Sequence, residues 1–204
     1  MPQSDPVSEY AYEPEPAAPS PLAPDPRTPG TLTSEAIASL RATRAFDERP
    51  VPRPVLLRIL EAARWTGSAR NRQPWHFTVV TDPALRRRLG ALSAYAAHLA
   101  QAPVVVLLAV DREHGGQDAE FDAGRAAQNL MLAAHSLGIG SCPASFFPDE
   151  AAAEATRLAA APAGWRVRTA VSLGYPRPRP RTGTPAIPTG RRALDTLVTW
   201  HGGG

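Results

Sequence analysis

Seven consecutive apolar residues, Val104 to Val110, run between Pro103 and Asp111. The run has the length of a strand, and with no polar position along it, it predicts a strand buried in the middle of a sheet. It is the longest apolar run in the chain and falls far short of the ~20 apolar residues of a transmembrane helix, so no membrane span is expected. A second segment says how the chain approaches that sheet. Leu56, Ile59, Leu60 and Ala63 recur at helical spacing, Gly67 is expected to stop their helix, and the alternation Phe77, Val79 then begins a strand. Between them lies the polar loop Ser68-Ala-Arg-Asn-Arg-Gln-Pro-Trp-His. A loop held between a packed helix and a strand is where function concentrates. Ser68, Asn71 and Gln73 bring hydroxyl, amide and carbonyl groups but no nucleophile and no ready base, which suits recognition of a heterocycle edge better than bond cleavage.

Upstream, Leu-Arg-Ala-Thr-Arg-Ala-Phe over residues 40–46 places Arg41 and Arg44 three apart. If the helix expected from about Thr33 or Ser34 continues that far, both lie on one face and can chelate a phosphate. Each charge-assisted hydrogen bond contributes roughly 1.5 to 3 kcal/mol, enough for the pair to anchor a dianionic tail. Downstream, Asp122 to Cys142 begins as an Ala-rich, small-residue helix expected to end at Gly138. Gln128 and Asn129 inside it need partners or a wet seam. Taken singly, the three segments are also what an ordinary helix-to-strand connection, a solvated basic face and a close-packed core helix would show.

In order, the chain reads Arg-x-x-Arg-x-Phe, then Ser-x-x-Asn-x-Gln-Pro-Trp before a strand, then Gly-x-x-x-Gln-Asn-Leu-x-Leu-Ala-Ala-x-x-Leu-Gly, then Leu173-Gly174-Tyr175-Pro176. From residue 34 to about 200 this resembles the FMN-dependent nitroreductase family. The resemblance implies an α+β fold with a central, mostly antiparallel sheet flanked by helices, an intertwined homodimer, and one FMN at each of two subunit-interface sites. It also implies NAD(P)H as electron donor and a small organic acceptor such as a nitroaromatic or quinone, served in turn at one pocket. In that reading Arg41 and Arg44 hold the phosphate, joined by Arg192 with Arg191 beside it. Ala42 stands where the family commonly has Ser and acts through its backbone. Ser68 and Asn71 meet the ring and ribityl region, Gln73 and Trp75 support the loop, and backbone across Pro143, Ala144, Ser145 and Phe146 approaches the central ring. Arg44 supplies positive field at the ring's N1 and O2 edge. No catalytic acid or base is called for, because the cofactor carries the chemistry. Ser141-Cys-Pro-Ala-Ser-Phe also looks like the branch of flavin oxidases that introduce unsaturation into peptide-derived rings, and a flavin-binding protein without turnover is the third reading. The family places substrate choice near residues 90–120, where Gly115-Gly116 suggests a mobile segment.

Composition divides the chain. Residues 1–30 hold nine of the 23 prolines and five acidic groups against one arginine, so an extended, disordered acidic arm is expected there, with one domain over residues 31–204. The arm has neither a basic start nor an apolar run, and a secretory signal is not expected. Its charge of −4 leaves +7 on the domain out of the formal +3. The arginines are scattered among apolar periodic segments with no aromatic-interleaved basic stripe, which argues against nucleic acid as a partner. All 22 basic residues are Arg, which removes lysine Schiff-base and P-loop chemistry. The five histidines never approach ligand spacing with one another or with the single cysteine, so no metal is expected. Cys142 cannot form an internal disulfide, which fits a reducing cytoplasm, and it reads as a small packed residue with no positive partner in view. Ser145 has no matched His and Asp for a hydrolase triad.

Overall fold

The computed structural model describes residues 31–177 and 190–202, and the expected arm over residues 1–30 lies outside them. In chain order the elements are α1 (Thr31–Ser39), α2 (Arg53–Arg64), β1 (Trp75–Val80), α3 (Pro83–Ala91), β2 (Val104–Val110), α4 (Arg112–Gly115), α5 (Ala119–Ser136), β3 (Gly140–Ser145), α6 (Asp149–Leu158) and β4 (Arg166–Gly174). Short 3-10 segments cover Ala94–Gln101 and Leu194–Leu197.

The four strands form one sheet in the order β1-β2-β4-β3, every neighbouring pair antiparallel. The α+β, antiparallel expectation is therefore met, and β2 is central as its sequence required. All seven of its side chains are buried. Val105, Leu107 and Ala109 pack on one face with Leu89, Leu99, Phe146 and Ala152, under α3, the 94–101 segment and α6. Val104, Val106 and Leu108 pack on the other with Ile59, Leu130, Val171 and Leu173, under α2 and α5. At about 1.5 to 3 kcal/mol for each large aliphatic side chain buried, this one strand contributes on the order of ten kcal/mol of gross stabilisation.

The helix boundaries follow local chemistry. Asp82 accepts from the Leu85 N–H at the start of α3, and Pro83 follows at the first turn, where a missing N–H costs nothing. α5 stops where expected: Gly138 takes φ 72°, its N–H reaches His135 O, and the Ile139 N–H reaches Ala134 O at 2.9 Å. Two expectations are overturned. Gly67 does not stop α2, which ends at Arg64 with Trp65 as its cap. α1 ends at Ser39, so Arg41 and Arg44 are not on a helix. Residues 42–46 are instead drawn out beside the sheet, because Ala42 bridges Ser141 and Phe46 bridges Pro176.

Gly115 is not a hinge either. It is buried, and a Cβ there would lie 2.6 Å from Ala119 Cβ and 2.7 Å from Pro74 Cβ. The bare backbone is what lets the loop before β1 lie against the start of α5. Helix propensity alone would have Gly115→Ala stabilise α4 by up to about 1 kcal/mol. Overpacking against two neighbours costs about 1 to 3 kcal/mol and should win, so Gly115→Ala is expected to lower the urea midpoint. A raised midpoint would show that the loop can shift at no cost.

Candidate functional site

The loop after α2 is short and under strain. It makes a 3-10 turn over Ala69–Asn71, and Arg70, Asn71 and Gln73 take φ of 53°, 54° and 50°. Left-handed backbone disfavours a side-chain-bearing residue by roughly 1 to 2 kcal/mol, so three within four residues must be held from outside. Ser68 Oγ accepts from the Gln73 N–H at 2.8 Å, and Gln73 Nε2 donates to Asn71 Oδ1 at 3.2 Å. The Ala69 N–H donates to Asp122 Oδ2 at 2.9 Å, and Arg125 Nη1 donates to Gly67 O at 2.9 Å and lies 3.3 Å from Asp122 Oδ1. Arg72 Nη1 donates to Gly115 O at 3.2 Å. Trp75, buried, begins β1 directly below. The side chains of Asn71 and Gln73 remain exposed.

At the far end of α5 lies the arginine segment. Arg41 turns back on α1 and donates through Nη1 to the carbonyls of Ala38 and Leu40 at 2.6 and 2.8 Å, leaving its other nitrogens uncommitted there. The Thr43 N–H bonds Ser141 O at 2.8 Å, which fastens the segment to the outer edge of β3. A cleft of about 300 Å³ lies here, lined by Arg41, Thr43, His135 and Ser141 among others, and Ser141 Oγ is buried without a partner. Arg44, exposed, lies close enough to Cys142 and His98 to act on both electrostatically. The pair expected side by side on a helix face is thus spread along an extended segment.

β3 presents an open edge. Ser141 points its carbonyl outward to Thr43, and N–H and C=O of one strand residue share a side, so Pro143 and Ser145 also point outward. Pro143 has no N–H, Ala144 pairs with Ala170, and the Phe146 N–H is spent on Arg168 O at 2.9 Å. Of the backbone N–H groups from Pro143 to Phe146, that of Ser145 is the one aimed away from the sheet.

Arg192 belongs to a wholly exposed segment, residues 190–202, and donates to Thr196 O at 3.3 Å. The structure does not bring it to Arg41 or Arg44 by any hydrogen bond. Nor does it bring the loop to the arginines: the loop is pinned at Asp122, Ser39 Oγ meets His135 Nε2 at 2.9 Å, and the intervening helix spans about 20 Å. Asn129 has a partner within the chain, because its Nδ2 donates to Thr66 Oγ1 at 2.7 Å.

Cys142 is fully buried, and burial pushes its thiol above the ordinary value while Arg44 opposes the shift, so a positive partner is present but loses. The thiol is a packed, protonated group. Burial pushes the His98 imidazole down, the Cys142 backbone acts against this, and Arg44 adds to it. His98 Nε2 is buried with no partner. Sequence reasoning passed over Asp122 and Arg125, whose Asp-x-x-Arg spacing on the first turns of α5 was the signal available. Among the described residues no helix is long and apolar enough to cross a membrane, and no cluster of three or more His, Cys, Asp or Glu is placed to hold a metal.

The model of the nitroreductase family matches residues 37–98 and 91–175. A protein of Methanothermobacter thermautotrophicus, carrying the name NADH dehydrogenase/NAD(P)H nitroreductase, is 33% identical over 151 residues, 72% of this chain and 79% of its own. The NADH dehydrogenase of Thermus thermophilus is 30% identical over 197 residues, 79% of this chain and 92% of its own. A Desulfovibrio desulfuricans protein solved in complex with FMN, and named as a nitroreductase, superposes with a TM-score of 0.68 at 28% identity, covering 84% of this chain and 96% of that one.

The depressed His98 gives a testable pH dependence. As the pH falls through about 6.5 the unfolded chain takes up a proton at this residue and the folded chain does not, so stability present above that pH is lost on acidification towards the folded value. Urea midpoints measured from pH 8 to 5 should fall less steeply for His98→Gln than for the wild type. Parallel curves would contradict the assignment.

Proposed function

The chain belongs to the nitroreductase family, and from that we propose that it binds FMN and carries electrons from NAD(P)H to a small organic acceptor, each served in turn at the same pocket. The observation that carries the reading is the strained, amide-bearing loop Ser68–Gln73, which leaves Asn71 and Gln73 exposed. The residues present fit the cofactor. Arg41 keeps free guanidinium nitrogens beside the unpartnered Ser141 hydroxyl, Arg44 is exposed at the β3 edge, and the open N–H of Ser145 lies along the same edge.

FMN, when bound, supplies the two-electron chemistry between donor and acceptor. Arg41 and Arg44 would take the phosphate, with Arg192 as a third donor. The Ser145 N–H would approach the central ring, and Ser68, Asn71 and Gln73 would meet the ring and its ribityl chain. No group here needs to act as an acid or base.

The points at which the loop and the end of α1 meet α5, Asp122 and His135, lie about 20 Å apart along the helix, and the ribityl chain between a flavin's ring and its phosphate is far shorter. The loop that meets a flavin held by one chain's arginines would accordingly come from a second copy. Leu57 on α2, Trp65 at its end and Phe121 on α5 are 55%, 75% and 68% exposed, and Leu194, Leu197 and Trp200 are 61%, 58% and 87% exposed, apolar surface that a second copy would cover. A homodimer burying upward of roughly 2,000 Å² accounts for both sets. A soluble electron donor and one free cysteine suit the cytoplasm.

The purified protein is expected to be a yellow dimer with one FMN per chain by native mass spectrometry, and NAD(P)H mixed in without oxygen should bleach it within seconds. Slow bleaching would favour an oxidase, and a colourless protein that refuses FMN would remove the reading. Arg44→Ala should weaken FMN roughly five- to a hundredfold by deleting a charge-assisted contact. Removing residues 190–204 should lower dimer mass and flavin content together. A fully flavinated monomer would refute both the shared site and the Arg192 role.

A further inference from the structure

We infer that Asp122 is a positioning residue for the flavin loop: its carboxylate holds the backbone at Ala69, Arg125 completes the hold at Gly67, and together they keep Asn71 and Gln73 aimed at the ligand. The functional half rests on the FMN reading, and the structural half stands on the distances. Asp122 is 3% exposed, and a buried carboxylate must be matched by donors. It is matched from two sides, by the Ala69 N–H at 2.9 Å and by Arg125 Nη1 at 3.3 Å, and the same arginine nitrogen grips Gly67 O at 2.9 Å. The pair therefore fixes the chain on both sides of Ser68. An acid in the first turn of a helix is favoured by the helix dipole, but an exposed one serves that purpose, as Glu120 does in the same turn.

The hold passes down the loop by contacts already measured. Ser68, fixed between Gly67 and Ala69, accepts from the Gln73 N–H, and Gln73 Nε2 in turn occupies Asn71 Oδ1. The three left-handed residues, Arg70, Asn71 and Gln73, lie inside that closure. With its carbonyl occupied, Asn71 offers its amide N–H donors outward, while Gln73 keeps its carbonyl as an acceptor. A donor and an acceptor side by side match a ring edge on which carbonyls alternate with an N–H. Release of Ala69 and Gly67 frees the strained residues to relax towards ordinary backbone and takes that pattern apart.

The test uses full-length protein carrying Asp122→Ala, Asp122→Asn or Arg125→Met, with FMN titrated by flavin fluorescence, the potential of the bound flavin measured, and amide hydrogen exchange followed at residues 67–73. Asp122→Ala should raise exchange in the loop roughly ten- to a hundredfold and weaken FMN by a similar factor, with a shifted flavin potential. Asp122→Asn keeps an oxygen for the Ala69 N–H and should return most of the affinity, and Arg125→Met should fall between. A structural staple alone would lower thermal stability and raise loop exchange while leaving FMN affinity and potential at wild-type values, and that result overturns the proposal. If Asp122→Ala does not fold, the Arg125→Met and Asp122→Asn comparison decides by the same readouts. Wild-type protein that fails to bind FMN would sink the cofactor reading instead, and loop exchange would still score the clamp.

Discussion

The burial of β2 on both faces is the constraint on which the rest of the structure depends. A strand with seven buried side chains must be central and must be covered twice, so helices are required on both sides of the sheet. α5 meets that demand on one side with Ala123, Ala126, Ala127, Leu130 and Ala134 among its buried positions, small enough for the helix to lie close. The consequence for function is indirect. With the interior of the sheet committed to packing, the open chemistry falls to the rims: the loop entering β1 at one edge strand and the exposed backbone of β3 at the other.

The same covering helix links the two rims. α5 carries Asp122 at its start and ends beside the arginine segment at Gly138, so one rigid element fixes the loop at one end and frames the Ser141 cleft at the other. Strain in the loop is offset by the hydrogen bonds that tie Gly67 and Ala69 to the helix. A strained loop held by hydrogen bonds to a helix that is itself anchored in a core is an arrangement in which binding geometry is set before the ligand arrives.

Much of this was legible in the sequence. The central strand, the helix before the loop, the strand after it and the stop at Gly138 each follow from periodicity or from a residue with one conformational advantage. What was not legible shares a cause. Arg41 and Arg44 read as neighbours on a helix because spacing of three means that locally, but the Ala42 bridge to Ser141 comes from residues about a hundred positions away and pulls the segment out straight. Gly115 read as a flexible point because glycine is permissive, whereas its value lies in the space that Pro74 and Ala119 leave for no side chain. Asp122 showed in the sequence only its spacing to Arg125, because its other partner is a backbone N–H, which every residue carries and no motif marks.

Arginine, the only cationic side chain apart from histidine, is used here as much for backbone as for charge. Arg41 caps the carbonyls at the end of α1, Arg72 holds Gly115 O, Arg86 holds Ala102 O between α3 and the segment before β2, and Arg125 holds Gly67 O. A guanidinium can do this because its donors are fixed in a planar fork and several remain after one is spent, whereas an ammonium is a single strongly hydrated point. At Arg125 one nitrogen serves both a carboxylate and a carbonyl. The domain's positive excess is therefore partly held in fixed positions, because several of these cations donate to backbone carbonyls, which orient the guanidinium and leave its charge in place.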